Sequence, residues 1–186
     1  MTLAEQVRVG SALEAIERHL DGLDPVARIR ECRALSGAEL AKLFALAESA
    51  GPLRADDLVS DGKTVRYAGK NSLPALRYFE KHFARCAGQV VGINVQTMSF
   101  ATGPGYFTCT GPVEGRSNEL LFDYTQVPPS GPEGWPAPRS NSQWISRFVF
   151  HNLHDHNRRV SREVVIGSAT KLGKPMNQYY ILARLD

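Results

Sequence analysis

The chain has 186 residues, 42% of them hydrophobic and 22% charged, with a formal net charge of +3. That composition builds a globular core and excludes global disorder. So small a charge excess argues against nucleic-acid binding, and no apolar run reaches the ~18 residues of a membrane span.

The spacing predicts a first helix over residues 3–20, with Leu13, Ile16, Leu20 and Leu23 as its apolar stripe. Glu5, Glu14 and Glu17 make this stretch a poor signal peptide. Asp24-Pro25 reads as an N-cap followed by proline, opening a short helix to about Ala34. Ser36 and Glu39 form a capping box for a helix presenting Leu40, Leu43, Phe44 and Ala47 and stopped at Gly51-Pro52. Residues 52–62 read as a loop and 63–68 as a short strand. A further helix is expected from Asn71 or Ser72, through Pro74, with Leu76, Phe79 and Phe83 facing the core and Gly88 at its end.

From about residue 88 the texture becomes β-rich. Expected strands are 89–101, 106–110, 119–126, 145–151, 163–170 and 178–185. Residues 128–138 hold five prolines and two glycines, so they form a wrapping loop, with Trp135 as its anchor. The expected fold is therefore α+β: a single domain over 1–186, with a mainly helical layer (1–88) packed on a curved, largely antiparallel sheet or partial barrel (89–186). No motif identifies a family. The order of helices followed by a curved antiparallel sheet resembles small cone-shaped or lipocalin-like ligand-binding folds.

Strand alternation supplies the functional clue. Leu120, Phe122 and Tyr124 share a clean apolar face, opposite Leu121, Asp123 and Thr125. Val91, Ile93 and Val95 are likewise clean, opposite Val90, Asn94, Gln96, Met98 and Phe100. In 145–151, Phe148 and Phe150 oppose Ile145, Arg147, Val149 and His151. The clean faces are expected to meet the helices. The mixed faces are expected to line a small-molecule pocket, with Asn94, Gln96, Met98, Phe100, Arg147 and Arg158 as ligand-binding residues. A partly solvated sheet face is the plainer explanation of the same alternation.

The run from His151 to Arg159 is the densest reactive cluster. His151, His154 and His156 are candidate acid–base groups, oriented by Asp123 or Asp155. Their spacing matches no zinc pattern, so neither metal nor cofactor is expected. A polar loop entering a helix is the plainer reading of this cluster. Asp61-Gly62-Lys63-Thr64 resembles the end of a phosphate-binding loop but has Asp57 where that motif needs glycine. The three cysteines, Cys32, Cys86 and Cys109, are far apart and read as core residues of a reducing, cytoplasmic protein.

The leading expectation is a cofactor-independent lyase, isomerase or cyclase acting on a small molecule by histidine acid–base chemistry. One alternative is a non-catalytic binding protein for an apolar or amphipathic ligand. Another is an interaction module whose Arg158–Arg162 patch meets an acidic partner. A homodimer is compatible with all three.

Overall fold

The computed structural model describes residues 1–73, 77–95, 104–141 and 150–186. Among the described residues, four α-helices, α1 (Leu3–Val9), α2 (Leu13–Asp21), α3 (Pro25–Ala34) and α4 (Gly37–Leu46), precede eight strands. The strands are β1 (Val65–Asn71), β2 (Tyr78–Cys86), β3 (Gln89–Val95), β4 (Phe107–Thr110), β5 (Leu120–Asp123), β6 (Leu153–Ser161), β7 (Val164–Lys171) and β8 (Lys174–Arg184). Each strand pairs antiparallel with the next, and β1 pairs with β8, so the sheet closes into a barrel. Closure removes the free edges that would otherwise invite association.

Local chemistry sets the helix ends. Thr2 and Glu5 form a capping box on α1, and Ser36 and Glu39 form one on α4. Asp24 caps α3 by accepting the Ala27 amide at 3.0 Å. The single helix expected over 3–20 is two: Gly10 takes φ 74°, a left-handed cap that ends α1, and α2 restarts at Leu13.

Two apolar clusters hold the layers together. Leu3, Val7, Ile16, Leu20, Leu40 and Leu43 pack against the outward residues Val160, Val164, Ile166, Ile181 and Ala183 of β6, β7 and β8. The second cluster fills the barrel: Val65, Tyr67, Phe83, Phe107, Phe122, Tyr124, Val165, Tyr180 and Leu182, joined by Leu53 and Leu58 from the segment after α4. Phe107 lies across Gly92 of the neighbouring strand, where an added Cβ would come within 2.2 Å of its ring. Glycine there makes room for an aromatic layer stacked at 4.9 Å between Phe107 and Phe122.

Three expectations change. The helix from Asn71 or Ser72 is replaced by strand β2, so β1 and β2 both fall inside the stretch read as helical. Phe79 and Phe83 are four residues apart, a spacing that serves one face of either element. Residues 153–161, read as a polar loop, are strand β6. In β5 the assignment of faces is reversed: Leu120, Phe122 and Tyr124 point into the barrel rather than toward the helices. The Pro-rich loop is anchored by Trp135, whose Nε1 donates to Thr64 Oγ1 at 3.0 Å and whose ring packs 6.0 Å from Tyr106. The expected strand segments 96–101 and 145–149 and residues 74–76 of the expected helix lie outside the described residues.

Candidate functional site

At the end of the barrel where β1 and β7 finish and β6 and β8 begin, a cavity of about 170 Å³ opens between the strands. Leu73, Phe79, Phe150, Leu153, Ala169 and Met176 give it apolar walls. Its inner end is polar: Lys81 from β2, Asn94 from β3, Tyr124 just past β5, and Asp155 from β6. Four strands or their ends each contribute one polar side chain at the same depth. Pairing fixes this, because Lys81 lies opposite Asn94 across β2–β3.

The four groups form one network. Lys81 Nζ donates to Asn94 Oδ1 at 3.0 Å, to Asp155 Oδ2 at 3.2 Å, and closely to the Tyr124 hydroxyl. Those three bonds match the three hydrogens of an ammonium. Asn94 Nδ2 donates to the Tyr124 oxygen at 2.8 Å, and Tyr124 donates to Asp155 Oδ2 at 3.2 Å. The Lys81 and Asp155 side chains are only 3% and 5% exposed, so this is a buried pair, not a surface one. Aromatic faces complete the lysine's surroundings, with Nζ 4.7 Å from the Phe107 centroid, 5.1 Å from those of Tyr124 and Tyr180, and 5.5 Å from that of Phe122.

Tyr180 extends the network, donating to Asn157 Oδ1 at 2.5 Å. Gly167, its cross-strand neighbour, permits this: a Cβ there would come within 2.3 Å of the Tyr180 ring. Burial lowers the proton affinity of Lys81, and the nearby Asp155 carboxylate only partly restores it. Burial also holds the Tyr124 and Tyr180 hydroxyls protonated well above the ordinary tyrosine range, reinforced by the same carboxylate. The inner end thus holds an amine and a carboxylate within hydrogen-bonding distance of each other, away from bulk water.

The expected site residues divide sharply. Asn94 and Asp155 meet at the cavity. Asp123, His154 and His156 lie on the opposite face of their strands, outside the barrel. His154 Nε2 is 3.4 Å from Asp123 Oδ1, and His156 Nδ1 is 3.0 Å from Glu119 Oε2. His151 sits in the turn before β6 and does not line the cavity. Arg158 also faces outward, donating to Glu119 Oε1 at 3.0 Å and to the Phe44 carbonyl at 2.8 Å. Its neighbours Arg159 and Arg162 pair with Asp57 and Asp21, so the basic patch is answered by the chain's own carboxylates. Gln96, Met98, Phe100 and Arg147 lie outside the described residues.

Glu119 is fully buried. Burial raises its pKa, but the hydrogen bonds from His156 and Arg158 outweigh that and hold the carboxyl below its ordinary range. Among the described residues no group of three or more His, Cys, Asp or Glu side chains is arranged to hold a metal, and no helix is long and apolar enough to cross a membrane.

The residues that sequence reasoning missed are Lys81, Tyr124 and Tyr180. A signal for Lys81 existed: it stands between Phe79 and Phe83 at strand spacing, a lone cation on an apolar face. Compared with known proteins, the chain matches no protein-family model, no curated protein and no solved structure.

Proposed function

We propose that this barrel binds a small, single-ring organic molecule, with its apolar body against Leu73, Phe79, Phe150 and Met176 and its polar group toward Lys81 and Asp155. The observation that carries this is a cavity of about 170 Å³ whose walls are apolar and whose inner end is a buried ion pair. A cavity of roughly 150 Å³ lined by aliphatic and aromatic side chains suffices for benzene. Pockets of this type combine apolar area for affinity with few polar groups for orientation. Within this proposal, acid–base chemistry belongs to Lys81 and Asp155 rather than to the histidines, because only the former pair lines the cavity.

The test is a ¹⁹F NMR titration with 4-fluorophenol. Saturable binding is expected for the wild type, weakened by about tenfold or more in Met176→Trp, which fills the cavity from its partly exposed side. Absence of saturable binding, or equal affinity in the variant, overturns the proposal.

A further inference from the structure

The geometry points to Lys81 as an imine-forming lysine for a small aldehyde or ketone held in the cavity. This rests on the pocket reading above and names its ligand class. Three observations meet at one atom. Lys81 is 2% exposed, yet its side chain lines the cavity, so a molecule seated there reaches the amine without bulk water. Asp155 Oδ2, at 3.2 Å, is placed to take a proton from Nζ and return it. Tyr124 bridges both, close to Nζ and 3.2 Å from the same carboxylate oxygen.

The steps balance with these groups alone. The Lys81 ammonium passes one proton to Asp155, giving a neutral amine and a carboxylic acid. The nitrogen lone pair forms a bond to the carbonyl carbon, and the carbonyl π electrons move to oxygen, which takes a proton from Asp155 or through Tyr124. The carbinolamine nitrogen carries the remaining protons. Its hydroxyl takes one of them, relayed by Asp155, and leaves as water while the nitrogen lone pair forms the C=N bond. The sum is ammonium plus carbonyl giving protonated imine plus water, with Asp155 a carboxylate again. No oxidant, reductant or metal enters, and the positive charge stays beside Asp155 and the aromatic faces throughout. The lowered proton affinity of Lys81 favours the attacking form.

The geometry also says why so polar a group sits in an aromatic interior. A buried ion pair is often no more stabilising than apolar residues of similar volume. A lysine with a proton acceptor, a hydroxyl relay and an adjacent cavity is instead the arrangement that amine catalysis of carbonyl chemistry requires.

The experiment incubates the full chain with 4-fluorobenzaldehyde and sodium cyanoborohydride, which reduces an imine to a stable secondary amine, followed by peptide mass mapping. Lys81 is expected to be labelled in preference to exposed lysines such as Lys63 and Lys174 at neutral pH, since its lowered proton affinity raises the fraction of free amine. Excess 4-fluorophenol is expected to suppress the Lys81 label and spare the others. Lys81→Arg keeps a cation beside Asp155 and is expected to lose that label. Label only on exposed lysines, with 4-fluorophenol still bound by the wild type, overturns the imine and leaves the pocket standing. Label on Lys81 that 4-fluorophenol does not suppress also overturns it. Failure of both phenol binding and Lys81 labelling removes the pocket as well.

Discussion

Removing both partners of the Lys81–Asp155 pair should cost far less than the two single removals added together. In Lys81→Met the Asp155 carboxylate, 5% exposed, keeps only neutral partners such as the Tyr124 hydroxyl. In Asp155→Leu the ammonium, 3% exposed, keeps only Asn94 and Tyr124. An uncompensated buried charge of this kind costs about 3–5 kcal/mol, so each single variant should lose that much. In the double variant both charges are gone, Met follows the lysine stem, and Leu meets an aromatic interior. What remains is Asn94 Oδ1 without its donor and the Tyr124 hydroxyl without its acceptor, a penalty of about 1–3 kcal/mol each, while the Asn94–Tyr124 bond at 2.8 Å persists. The singles therefore sum to about 6–10 kcal/mol, the double loses about 2–6, and the midpoints leave a coupling of about 4 kcal/mol. Urea unfolding followed by near-ultraviolet circular dichroism on all four proteins reads these differences directly, with Asp155→Asn as an isosteric variant if either single change leaves no folded protein. Additivity within about 0.5 kcal/mol would refute the view that the two charges form one desolvated unit.

The other expectations concern the outer face and the aromatic layer. Glu119 has a folded-state pKa below its unfolded value, so the unfolded chain binds more protons in the window between them. Its contribution should be complete above about pH 5 and lost as pH falls through the folded-state value, and Glu119→Gln should flatten that acid limb in urea midpoints measured against pH. An unchanged acid limb in the variant contradicts the assignment. Gly92→Ala puts a Cβ within 2.2 Å of the Phe107 ring and should cost about 1–3 kcal/mol in thermal unfolding, partly recovered in Gly92→Ala/Phe107→Leu. A neutral Gly92→Ala means that the ring moves aside without cost.

Much of the fold was legible because it rested on local rules. One capping box and the Asp24-Pro25 signal placed the starts of α4 and α3, and six strands lay near their expected places, while the single helix read over 3–20 is α1 and α2. The two strands that were misread are β2 and β6, and these carry Lys81 and Asp155. That coincidence has a physical cause. A strand that delivers a charge into a barrel must break the apolar alternation by which strands are recognised. In β2, Lys81 interrupts Phe79 and Phe83, leaving a four-residue apolar spacing that a helix also satisfies. In β6, Asp155 and Asn157 point inward while His154, His156 and Arg158 point outward, so neither face reads as buried. The outward groups were conspicuous because histidines cluster there, yet His154 and His156 lie beside Asp123 and Glu119 on the outer side of the barrel. What separated them from the cavity was parity along one strand, which a one-residue slip reverses.

The order of elements along the chain has a consequence for how the protein is made. Helices α2, α3 and α4 leave the ribosome before β1 to β8, yet their apolar faces are completed by β6, β7 and β8, which are made after the other five. The barrel closes only when β1 meets β8, where Tyr67 pairs with Arg184. At ~5–20 residues per second, the interval between α4 and β8 is on the order of ten seconds. Until β6, β7 and β8 are made, Ile16, Leu20, Leu40 and Leu43 have only the apolar residues of the helical segment itself for cover. The nascent chain thus carries a sticky helical segment whose docking surface does not yet exist, the kind of surface that chaperones shield during translation.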